Sequence, residues 1–243
     1  MITTIQPSPG QLAAPRSILC VLGMHRSGTS CLTGSLQEAG LYLGDYHTWN
    51  PYNLKGNREN QYIVDINDSV LAANGGAWDR PPTGTVRWSE QARLAARELF
   101  ARYAAQSPFG FKDPRTLLVL DGWRELFPHM QFIGIFRHPV AVAASLHNRS
   151  GMPHQQGLEL WYEYNRRLLR VHTGRPFPIL CFDEAPDDFQ EKLYDVLREM
   201  GFDATAWQGE FYDEALRSAE SGESMEIPWR VRRLHRKLQK LAI

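Results

Sequence analysis

Residues 18–30 read ILCVLGMHRSGTS, and this segment constrains the fold more than any other in the chain. An apolar, strand-type run enters a loop bracketed by Gly23 and Gly28, and hydroxyl residues open the helix that follows. The glycine spacing is that of the phosphate-cradling loop G-x-x-x-x-G-K-[ST]. Backbone N–H groups of such a loop, with the positive end of the next helix, hold an anion. The lysine expected after the second glycine is missing, and Thr29 stands in its place. The cation has moved inside the loop, to Arg26. A loop of this kind keeps a phosphate-like ligand but is not built for a magnesium-bound triphosphate in the usual way.

A second segment, QFIGIFRHPVAVAASL at 131–146, repeats the strand-to-helix pattern. Pro139 suits the first helical position, where its missing N–H costs nothing. Arg137 therefore falls at the strand's C-terminal end, and Ser145 about 9 Å along the helix at about 1.5 Å per residue. An arginine fork and a serine hydroxyl suit a second phosphate, separate from the first.

The chain further reads as alternating strands and helices. Strands are expected at Ile18–Leu22, Phe109–Phe111, Gln131–Phe136 and Phe177–Phe182, and helices at 29–39, 60–73, 89–106, 116–126, 139–149, 155–172 and 187–200. Ser89 and Asp187 read as N-caps, and Gly40 and Gly201 as C-terminal stops. Mostly continuous apolar strands indicate a parallel sheet covered on both faces. The fold class is therefore α/β: a three-layer, doubly wound, mostly parallel sheet with ligands at the strands' C-terminal ends. Residues 1–16, with three prolines, read as a loose tail, 17–220 as one α/β domain, and 221–243 as a basic C-terminal helix. Within that helix Val231, Leu234, Leu238 and Leu241 form an apolar stripe among six Lys/Arg. The segment reads as a helix docked on the domain. Contact with the second phosphate, with an anionic acceptor or with a membrane surface stays open. Stretches 41–58 and 74–88 lack regular patterning. They carry Trp49, Trp78 and Trp88, which either line a pocket or pin loops to the core.

The paired motifs resemble those of the sulfotransferase family. His25-Arg26-Ser27-Gly28-Thr29-Ser30 is similar to its [PR]-[KR]-S-G-T-[TS] loop, and Arg137 through Ser145 to its R-x-P-x-x-x-x-x-S segment. FGFKDPRT at 109–116 resembles bacterial members. NPYNLKGNREN at 50–60 resembles their N-P-x-G-x-x-E-N stretch with residues inserted. The resemblance spans residues 17–205. It implies a P-loop-like fold and a donor, 3′-phosphoadenosine 5′-phosphosulfate (PAPS), leaving as 3′-phosphoadenosine 5′-phosphate (PAP). Met24, His25, Arg26, Ser27, Gly28, Thr29 and Ser30 would hold the 5′-phosphosulfate, and Arg137 and Ser145 the 3′-phosphate. Arg26 would also face the leaving oxygen. Lys112 would touch the sulfuryl group or the acceptor, with Asp113 orienting Lys112 or Arg115. Glu59 is the first choice of general base and His47 the second. The transferred group carries one negative charge, so protein cations rather than a metal are expected to neutralise it.

Composition sets outer limits. A chain of 243 residues fits one α/β domain. With 27 Lys/Arg against 27 Asp/Glu the net charge is zero, which weighs against a nucleic-acid binder; the family resemblance implies an acceptor hydroxyl on a glycan, a lipid or polyketide alcohol, or a small natural product. No apolar run reaches the roughly 18 residues of a spanning helix, and the N-terminal residues show no secretory pattern. Three widely spaced cysteines, Cys20, Cys31 and Cys181, offer neither a disulfide framework nor a zinc pattern, so a cytoplasmic setting is expected. Two other readings remain at this level. A P-loop kinase or nucleoside-triphosphatase would use the Walker B-like run Ile179–Asp183. A non-catalytic nucleotide-binding module would use the cradle alone.

Overall fold

The computed structural model describes residues 13–48, 56–211 and 225–243. Most of the expected tail, Trp49 and residues 50–55 of the NPYNLKGNREN stretch lie outside these residues. Four strands, β1 (Ile18–Leu22), β2 (Phe109–Lys112), β3 (Gln131–Phe136) and β4 (Ile179–Cys181), form a wholly parallel sheet in the order β2-β1-β3-β4. The helices are α1 (Thr29–Glu38), α2 (Gln61–Ala73), α3 (Glu90–Arg102), α4 (Thr116–Leu126), α5 (Pro139–Ser150), α6 (His154–Gly174), α7 (Pro186–Glu199) and α8 (Trp229–Gln239).

Strand alternation divides the core in two. Cys20 and Leu22 of β1 face a cluster with Phe111, Phe136, Trp123, Trp161 and Leu168, under α2 to α6 and α8. Leu19 and Val21 face the other way, against Leu32 and Leu36 of α1 and Phe189, Leu193 and Leu197 of α7. Both faces of the sheet are covered, as the continuous apolar strands require. Because β1 lies between β2 and β3, the chain leaves it in opposite directions. The crevice above its C-terminal end is where ligands of such sheets sit. Both edges of the sheet are also occupied. Tyr42 pairs with Phe109 beside β2, and Ile243 N–H donates to Ile179 O beside β4.

Most boundaries agree within two residues of those read in the sequence, and three differences are informative. Asp187 lies in the first turn of α7, whose N-cap is Ala185 with Pro186 at N1. The proline's fixed φ starts the helix one residue early. Helix α3 stops at Arg102 rather than 106, with Tyr103 turned inward to hydrogen-bond Asp45 and Asn60. Strand β4 keeps three of its six expected residues, Ile179 to Cys181, which pair with Gly134 to Phe136 of β3. Ser89 caps α3 as expected, accepting from Ala92 N–H at 3.1 Å.

Candidate active site

The loop after β1 is shaped by its glycines. A side chain at Gly23 would meet Ile135 O at 2.7 Å, and one at Gly28 the Phe182 ring at 2.4 Å. Gly28 also has φ +85, the left-handed region open to glycine. Arg26 shares that region at φ 64, an uncommon choice for a non-glycine residue that turns its side chain out of the loop. Ser27 Oγ and His25 Nε2 are buried without a hydrogen-bond partner among the described residues. Met24 is fully buried in the core, so only its backbone is available to a ligand.

His25, Arg26, Thr29, Ser30, Asn57, Glu59, Lys112, Pro114, Arg115 and Arg149 converge on one small cleft of about 90 Å³. Lys112 ends β2 and is 2% exposed. Its Nζ lies 2.6 Å from Glu59 Oε1 and 3.4 Å from Ser30 Oγ. Asn57 Nδ2 donates to the other Glu59 oxygen at 3.0 Å. The His25 ring is wedged between Trp78 and Tyr164, centroids 4.9 and 5.8 Å away. Burial, and then Arg115, Lys112, Arg149 and Arg26, hold it well below the usual histidine range, so it is neutral.

The floor of the cleft is a polar hub. Asp113 is buried, and Arg115 donates to its Oδ1 at 3.0 Å while Asn67 donates to its Oδ2 at 2.8 Å. Burial raises the Asp113 carboxyl, against the lowering influence of Arg115. Asn67 also accepts from Trp123 Nε1 at 2.8 Å. One side chain thus ties α2, the β2–α4 turn and α4 together.

The second motif lies alongside. Arg137 Nε is 3.3 Å from Asp183 Oδ1, and its guanidinium is 5.5 Å from the Phe182 ring centre. Asp183 also accepts from His138 N–H. The Walker B-like aspartate therefore anchors an arginine. The sequence placed Arg26 and Ser145 at separate anion sites, yet Arg26 Nε donates to Ser145 Oγ at 2.8 Å. The two motifs form one continuous surface, and Arg26 is the link.

Of the residues expected in the site, the cleft brings together His25, Arg26, Thr29, Ser30, Glu59 and Lys112, with Ser145 joined through Arg26, while Arg137 is held by Asp183 beside them. His47 is not among them. Its backbone pairs with Arg58 and Glu59, and its exposed ring meets Gln61 Oε1 at 2.9 Å. Trp88 is a core residue, donating to Val119 O at 3.1 Å, whereas Trp78 backs His25. Sequence reading missed Arg149 and Asn67. Arg149 stands one helical turn beyond Ser145, so the i,i+4 spacing on α5 could have found it. Asn67, a polar residue inside the apolar run of α2, was the signal of a buried bridge.

The family model for sulfotransferases matches residues 19–179. This chain belongs to the sulfotransferase family. Among solved structures it is similar to the sulfotransferase domain of the olefin synthase from Synechococcus PCC 7002. The identity is 18%, covering 97% of this chain and 98% of that one, with a TM-score of 0.61. It is also similar to the sulfotransferase STF1 from Mycobacterium tuberculosis H37Rv, at 17% identity over 94% of this chain and 78% of that one, with a TM-score of 0.49. The first supports the P-loop-like fold. A search of curated proteins finds no match. No helix among the described residues is long and apolar enough to cross a membrane.

Proposed function

We propose that this sulfotransferase moves a sulfuryl group from PAPS to the hydroxyl of a small-molecule or glycan acceptor, without a metal. The observation that carries this reading is the cleft itself: Arg26 from the loop, Lys112 from β2 and Glu59 face one another beside the Arg137–Ser145 surface. The residues fit the donor. The two glycines let the loop close tightly onto Ile135 and Phe182, and the buried Ser27 hydroxyl has no partner among the described residues where the loop would meet a phosphate. The loop, Thr29 and Ser30 would hold the 5′-phosphosulfate, and Arg137 with Ser145 the 3′-phosphate. A kinase or nucleotide-sensing module would leave the Arg137 surface and the Lys112–Glu59 pair without a use.

The donor supplies a sulfuryl group on a phosphate leaving oxygen. The bond from sulfur to that oxygen breaks as the bond to the acceptor oxygen forms, and the electron pair stays on the phosphate. Arg26 neutralises that growing charge. Such a preorganised donor contributes about 3–4 kcal/mol in well-studied sites. Lys112, held by Glu59, faces the sulfuryl oxygens. Glu59 takes the acceptor's proton, the step expected of a general base. Transfer from labelled PAPS to a panel of alcohols, phenols and glycans tests the activity. PAP binding no tighter than AMP in calorimetry would remove the role given to Arg137 and Ser145.

A further inference from the structure

Helix α8 buries one face and presents the opposite one. Val231, Leu234 and Leu238 are packed in the core against α6. Trp229, Arg232, Arg233, Arg236, Lys237 and Lys240 recur at helical spacing on the other side and line a shallow groove of about 450 Å³. Trp229 is 70% exposed, the highest value among the exposed large apolar residues. Residues 229–243 contain no Asp or Glu, while the preceding 228 residues hold 21 Lys/Arg against 27 Asp/Glu. A neutral chain therefore has one strongly positive end.

Two cations of this face have neighbours within the domain: Arg232 donates to Ile227 O at 3.3 Å, and the Arg233 guanidinium lies 5.8 Å from the Trp229 ring centre. Arg230, off the stripe, pairs with Glu159, but among the described residues Arg232, Arg233, Arg236, Lys237 and Lys240 make no ion pair. Arg232–Arg236, Arg233–Lys237 and Arg236–Lys240 are like-charge i,i+4 pairs, an arrangement that weakens a helix. Position near the helix C-terminus offsets this only for the last turn. The face is thus poorly explained by the stability of α8. Exposed apolar groups gather in the same segment, with Leu241 and Ile243 joining Trp229. Cations beside an exposed tryptophan match the chemistry of an anionic bilayer surface, where lipid headgroups meet the charges and an indole sits at headgroup depth. An acidic protein would need the charges but not the indole.

We propose that the outer face of α8 docks this enzyme on anionic lipid membranes, peripherally and with α8 still packed on α6. Read from the sequence, membrane attachment stands behind the other uses of this helix. The docked geometry favours it, by turning the apolar stripe inward and leaving Trp229 and five cations outside. The proposal is independent of which acceptor is sulfated.

The test is co-sedimentation of the full chain with vesicles of phosphatidylcholine alone or with 30% phosphatidylserine, at about 50 and 300 mM salt. Binding is expected to the phosphatidylserine vesicles at low salt, to fall at least tenfold at high salt, and to be absent with phosphatidylcholine. R232Q/R233Q/R236Q/K237Q should lose at least tenfold in partitioning, and W229A a smaller factor. Circular dichroism and PAP affinity, the latter read by calorimetry, should match the parent. No sedimentation with anionic vesicles, or undiminished sedimentation of the quadruple variant, overturns the proposal. Binding that W229A leaves unchanged points instead to a purely electrostatic surface suited to an acidic protein, and also overturns it.

Discussion

Arg26, Lys112 and Glu59 line the same cleft of about 90 Å³, and their proposed roles can be tested one residue at a time. Arg26→Ala should lower turnover about a hundredfold or more and PAP affinity much less, because charge on the leaving oxygen grows only in the transition state. Equal losses in both would make Arg26 a plain phosphate anchor. Glu59→Gln should retain PAP binding while turnover falls about 10²–10⁴-fold, the usual contribution of a general base. It also leaves buried Lys112 without its carboxylate, a change that can cost about 3–5 kcal/mol. Thermal denaturation must therefore accompany the kinetics, and activity has to be read at a temperature where the variant is folded. His47→Ala should remain active, since its ring meets Gln61 and does not line the cleft. If Glu59→Gln is fully active and His47→Ala is not, the base is His47.

At the scale of elements, the loop and α8 set different demands. Gly28→Ala forces a Cβ into the Phe182 ring at φ +85, so PAP affinity should fall at least tenfold even though the change adds one methyl group. His235 of α8 packs edge-on against His138, ring centroids 4.8 Å apart. Burial first, and then His138, push its pKa down to about 4. The folded state therefore prefers the neutral ring. Stability from this site is complete above the unfolded pKa near 6.5 and is lost as pH falls from there towards 4. Allowing for partial solvent contact, the loss is on the order of 1–2 kcal/mol. The parent's melting temperature should drop more steeply than that of His235→Gln between pH 7 and 4.5; parallel curves would remove His235 from the acid response. Which elements exist was legible because strand runs and glycine-bracketed loops are local signals. The pairing of Lys112 with Glu59 and of Arg26 with Ser145 was not, because 53 and 119 residues separate the partners. Neither was the isolation of His47, which depends on which way one loop turns its ring.

For the whole molecule, the sheet's edges and the Asn67 hub matter most. Asn67→Ala removes donors to Asp113 and Thr116 and the acceptor of Trp123 Nε1. Stranded buried polar groups cost about 1–3 kcal/mol each, so the melting temperature should fall by several degrees, read by thermal denaturation. If cations of the protein meet the single charge of the sulfuryl group, as proposed, the reaction should also persist in EDTA. Abolition by chelation would revive a metal-dependent reading.

The left-handed backbone at Arg26 carries a consequence for how this enzyme can evolve. A non-glycine residue there costs about 1–3 kcal/mol, and Arg137 and Arg149 repel the charge it brings. Stability and activity are therefore opposed at one position. Arg26→Gly should melt at or above the parent temperature, despite losing the Ser145 hydrogen bond, while transferring almost no sulfuryl group. If Arg26 has the proposed role, a substitution that makes the protein more robust at this position would make it a poorer catalyst.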